Sequence, residues 1–247
     1  MAGARRKFRV FVAALVVVAA VVGVAGWWLL FRDDAPPEAD IDTAGETLDE
    51  AADDEAAGGG DSGNLQGEWT VDTTVGSFDD FSGTWAGYRF DEELGGVGAN
   101  TAAGRTPDVT GTMTVEGDEV TAVDVDVDMT TLQSDNGTRD NALQTRGLES
   151  GRFPTATFSL TSPIALPAGV VAGEQASAEA EGELTVHGVT NEVTVDLDVE
   201  LAGGAAVVVG QAPVSLTAFD IDAPTGFSVL SIEDEGTFEF QIFFTRA

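Results

Sequence analysis

The 247-residue chain has no cysteine, one histidine, one tyrosine, and 11 lysines and arginines against 43 aspartates and glutamates. Without cysteine there are no disulfides, thiolate metal sites or cysteine nucleophiles. With one histidine there is no HExxH zinc motif, and neither a nucleophile elbow nor a phosphate-binding glycine loop occurs. No catalytic residue, cofactor or metal site is expected. Cations are scarcest after Asp33, where Arg89, Arg105, Arg139, Arg146, Arg152 and Arg246 face all 43 acids, a formal charge of −37. Such a surface repels nucleic acid and argues against that partner class. An acidic surface serves solubility or salt adaptation before it serves a specific partner.

What is present begins with a basic cluster. Arg5, Arg6, Lys7 and Arg9 lie in residues 1–9, and Val10 to Phe31 follow, 22 residues without a charge. At about 1.5 Å per residue that run crosses a hydrocarbon core of about 30 Å. The spacing predicts a transmembrane signal anchor over 10–31, too long for the apolar part of a cleaved signal peptide. Basic residues before it place 1–9 in the cytoplasm and the rest outside, in a single-pass protein of the cell membrane. Between Asp33 and Asn64 come twelve acids, no base, Pro36-Pro37 and Gly58-Gly59-Gly60. Self-repulsion, in a stretch that reads as unable to bury a core, predicts a disordered acidic linker over 32–66.

Residues 67–247 read as β structure. Trp69 and Val71 alternate with polar residues, a second strand covers 82–90, and the glycine-rich stretch 92–107 reads as a loop. Val109, Gly111, Met113 and Val115 share a face. Val123, Val125, Val127 and Met129 share the next, while Asp124, Asp126 and Asp128 point away. The alternation resumes over 178–186, 193–201, 207–221 and 238–244. Period-two patterning with one dry face predicts an all-β fold, an antiparallel barrel of about eight strands. In such a barrel the interior is either filled by side chains or leaves room for one small apolar ligand.

One stretch breaks the alternation. Around Thr138–Gly147 the pattern fits a short helix, with Thr138 as its cap, Arg146 in its last turn and Gly147 past its end. Arg139-Asp140-x-x-Leu143 followed by Phe153-Pro154-x-x-x-Phe158, and the later Gly182-Glu183-Leu184-Thr185-Val186-His187-Gly188-Val189-Thr190, resemble the signature of the YceI-like family. The resemblance spans about Gly67 to Arg246. The chain departs from it at Ala142, Leu148 and Ala218, where members often carry His, an aromatic residue and Arg. The family is a lipocalin-like group of polyisoprenoid-binding proteins. The resemblance therefore implies a lipocalin-like barrel whose partner is an isoprenoid or other amphiphilic lipid.

Two sets of residues are candidates for that role. Val125, Val127, Met129, Phe158, Leu160, Leu184, Phe240 and Phe244 are expected to line the barrel interior. Arg139, Arg146 and Arg152, three of the six arginines after Asp33 and within 14 positions, are candidates for a phosphate or quinone head group. The same arginines also suit a structural part, pairing with Asp140 and Glu149 to clamp the helix. His187, beside a turn glycine, reads as a structural residue rather than a ligand to iron or another metal. The expected function is lipid binding by a membrane-anchored, extracytoplasmic barrel. The alternative is an envelope interaction or stress-protection module with a solid core.

Overall fold

The computed structural model describes residues 35–55, 65–166, 170, 174–226 and 229–247. The segments expected to be cytoplasmic (1–9) and transmembrane (10–31) lie outside the described residues, as does 56–64. From Ala35 to the end the chain clusters as one compact unit.

Its frame is a closed antiparallel barrel with eight wall positions. Strands β1 (Gly67–Asp72) and β2 (Trp85–Leu94) together form one wall strand, interrupted by an excursion over 73–84. Next come β3 (Gly98–Thr106) and β4 (Val109–Glu116), a bent strand that pairs first with β2 and then with β1. After these follow β5 (Glu119–Asp128), β7 (Thr155–Leu160), β9 (Ala176–Val186), β10 (Val189–Ala202), β11 (Ala205–Ser215) and β12 (Val229–Arg246). Each pairs with the next, and β12 closes the ring on β1 and β2. The short β6 (Gln133–Ser134) extends β5 and pairs with β3, and β8 (Ile164–Ala165) pairs with β5. Closure leaves the wall without an open edge, a liability an isolated sheet carries.

Local chemistry sets the connections. His187 and Gly188 form a two-residue turn between β9 and β10, with φ of 54° and 76°. That is the left-handed pair a right-twisted hairpin favours. Asn136, rather than Thr138, caps α2 (Gly137–Ala142), its side chain accepting from the Thr138 and Arg139 amides. A π-turn, Leu143–Gly147, continues it, with the Leu148 amide donating to the Leu143 carbonyl. Gly147, expected just past the end, is instead the last residue of this turn, and Leu148 caps it.

Two expectations need correction. The stretch 92–107, read as a loop, contains the end of β2 and all of β3. Its small residues serve the sheet: Ala102 and Gly104 stand opposite Phe90 and Tyr88, and the Tyr88 ring occupies the space a side chain at Gly104 would take. The disordered linker expected over 32–66 also holds structure. Ile41–Glu55 form helix α1, capped by Asp40, whose carboxylate accepts from the Thr43 amide at 3.0 Å. Ala44 and Leu48 are fully buried against Val207, Val209 and Phe243 on the outer wall. Upstream, the Pro36 carbonyl accepts from Arg89 and that of Pro37 from Arg105. Both arginines meet the buried Glu239, at 3.3 and 3.0 Å, and Arg105 stacks 3.6 Å over the Trp85 ring. A row of acids on one face did not prevent the opposite face from docking.

Candidate functional site: a lined cavity and its polar end

The barrel interior is hollow, with a cavity of about 660 Å³. That lies inside the range of small-molecule sites, about 300–1,000 Å³. Two features of the sequence keep it open. Many inward positions are small or medium: Ala156, Ala178, Ala180 and Ala212, with valines at 125, 127, 193, 195 and 199. Four of the large inward rings, moreover, lie along the wall, each over a glycine. A Cβ at Gly104 would fall 2.6 Å from Tyr88 Cε1, and one at Gly182, Gly210 or Gly236 would fall under 3.0 Å from Phe158, Phe240 or Phe90. Rings seated over glycines leave the axis free.

The eight apolar residues expected inside, Val125, Val127, Met129, Phe158, Leu160, Leu184, Phe240 and Phe244, all line this cavity. A bulge between Thr114 and Val115 shifts the register of the β4–β5 pair, so that Val120 lines it as well as Val123. At one end lie Leu65, Trp69, Leu166 and Val170. At the other, beneath α2, lie the exposed lining residues Asn136, Thr138, Arg146 and Gly226, and Pro224 packs on Gly147. This is the mouth.

Polar side chains converge just inside it. Glu92 is buried on β2, and its Oε1 accepts from Arg139 Nη2 at 2.7 Å and Asn100 Nδ2 at 2.8 Å. Arg139 also pairs with Asp135. Burial pulls the Arg139 pKa down, but the two carboxylates outweigh it and hold the guanidinium above its ordinary value. Tyr88, four residues earlier on the same face, is buried and its hydroxyl has no hydrogen-bond partner among the described residues. Burial pushes its pKa upward, so the hydroxyl keeps its proton.

The three candidate arginines separate. Arg139 lines the cavity while clamping α2 to β2; Asp140, weighed as its partner, instead accepts from the Ser134 amide and hydroxyl. Arg146 is exposed at the rim and forms no ion pair among the described residues. Arg152 does not line the cavity; it is mostly exposed, 3.8 Å from Glu149 and over the Phe153 ring. His187 sits in the same outer group, bonded to Glu149 at 3.2 Å and the Phe219 carbonyl at 3.3 Å. Tyr88, Glu92 and Asn100 were missed. The legible signal was parity: Ala86, Tyr88, Phe90 and Glu92 alternate on one face, so an acid falls on the dry side.

Comparison with known proteins follows the same outline. The YceI-like domain family matches residues 69–244. The UPF0312 protein VPA0850 of Vibrio parahaemolyticus is 30% identical over 118 residues, 45% of this chain and 59% of that protein. The alignment thus spans less than two thirds of that relative. The crystal structure of Burkholderia cenocepacia BcnA superposes with a TM-score of 0.52 at 16% identity, covering 64% of this chain and 95% of BcnA. A polyisoprenoid binding domain from Saccharophagus degradans, implicated in plant cell wall breakdown, superposes at 0.53 with 14% identity, covering 72% of this chain and 98% of that one. At such identities the superpositions speak to fold alone.

Proposed function

The chain belongs to the YceI-like family, and on that premise we propose that it holds a long-chain amphiphilic lipid of the isoprenoid class, apolar chain in the barrel and head beneath α2. The observation that carries this reading is the cavity itself: an apolar interior of about 660 Å³ whose polar residues gather at one end. Each buried carbon of such a chain contributes about 0.8 kcal/mol before ordering costs are deducted. The polyisoprenoid binding of the Saccharophagus degradans domain supports the choice of ligand class. The site is built for binding rather than bond-making. Among the described residues the buried acid at the mouth, Glu92, is neutralised by Arg139, and no nucleophile–base pair stands beside it. In the same proposal, the uncharged run 10–31 anchors the protein in the cell membrane with its barrel outside. The basic residues before the run and the acidic chain after it support that orientation.

Extraction of the purified full-length protein with organic solvent, followed by mass spectrometry, tests the proposal. The expected result is an isoprenoid-class lipid at close to one per barrel. Recovery of only bulk membrane phospholipid, in proportion to the membrane, would overturn it.

A further inference from the structure

We propose that the polar end of the cavity selects an uncharged head group carrying a hydroxyl or carbonyl oxygen, and discriminates against a phosphorylated head on the same chain. This deepens the lipid-binding reading and rests on it. The Tyr88 hydroxyl, buried on the cavity wall with no partner among the described residues, is a donor in need of an acceptor. Glu92 takes both Arg139 and Asn100 on Oε1, which leaves Oε2 able to accept again. An alcohol offers both an acceptor and a donor, and a carbonyl satisfies the tyrosine alone.

A phosphate meets a different balance. The groups acting on the Tyr88 hydroxyl are Arg139, Asp140, Glu92 and Asp135, one cation among three carboxylates. Arg139 is already held by Glu92 at 2.7 Å and by Asp135. A phosphate would have to displace one of these carboxylates, or sit beside them unpaired in a site of low dielectric. Arg146 is the remaining arginine at the mouth, but it stands in solvent, where its attraction is screened. The residues that sequence reasoning offers for a phosphate thus include one cation whose charge is already used.

The test is displacement of a fluorescent apolar probe from the full-length protein by a polyprenol and by the monophosphate of the same chain length. Wild type is expected to bind the alcohol at least about ten-fold more tightly. Tyr88→Phe should weaken the alcohol about five-fold, the worth of one hydrogen bond. It should also raise the melting temperature of the lipid-free protein, because it removes an unsatisfied buried hydroxyl. Glu92→Gln frees Arg139 and should narrow the preference by strengthening the phosphate. Equal or tighter wild-type binding of the phosphate overturns the inference while leaving lipid binding intact, as does an unchanged alcohol affinity in Tyr88→Phe. If neither lipid displaces the probe, the lipid-binding reading falls, and this inference with it.

Discussion

Substitution of Ala180 by leucine gives opposite signs for a hollow and a filled barrel. Ala180 is 2% exposed on β9, faces Val195 across the strand pair, and lines the cavity. In an open lumen, the three added carbons find apolar space without displacing neighbours. At about 0.8 kcal/mol per buried carbon the gain is about 2.4 kcal/mol, from which leucine ordering removes about 0.5–1 kcal/mol. The net of about 1.5 kcal/mol raises the melting temperature of lipid-free protein by about 3–6 °C for a domain of this size. In a filled core the same change overpacks, costing about 1–3 kcal/mol and lowering the midpoint. Calorimetry of lipid-free Ala180→Leu beside wild type reads the sign directly. In lipid-loaded samples the leucine competes with the ligand, so the stabilisation conferred by lipid should shrink. A lower midpoint for the lipid-free variant would refute the account of a wall built from small side chains and rings seated over glycines.

The docking of α1 is expected to contribute to global stability: Leu48→Ala should cost about 2–5 kcal/mol by thermal or urea unfolding, with lipid retention unchanged because the helix lies outside the barrel. An unaltered midpoint would mean that α1 folds independently of the wall. Because 6 arginines face 43 acids after Asp33, the protein should melt at higher temperature as salt rises from low millimolar to about 0.15 M, where screening reaches about 8 Å. A flat response would show that the carboxylates are already compensated. Protease added to intact cells or spheroplasts should cut the chain beyond residue 31, and full protection of the barrel would reject the proposed orientation.

The sequence by itself determined the all-β class, the inward faces of the regularly alternating strands β4, β5, β7, β9, β10 and β12, and the existence of the short helix between β6 and β7. These follow from period-two alternation and from residue types at a helix end, both local properties that survive without knowledge of partners. That is why the eight apolar residues expected inside could be named from the sequence. Helix α1 shows the opposite case. Its stripe of Ile41, Ala44, Leu48 and Ala52 behind Asp40 was present in the sequence, but 15 residues so rich in acid are marginal alone and become a helix against Val207 and Phe243. Strand β3 escaped for a related reason. Its glycine and alanines are loop-like until Tyr88 and Phe90 lie across them. Tertiary structure alone decided the use of the arginines, since Arg139 and Glu92 are 47 positions apart, and so too Arg105 and Glu239, 134 apart. It also decided that the barrel is hollow. Whether an interior fills depends on the side-chain volumes of all eight wall positions taken together and on which ring meets which glycine across a strand pair.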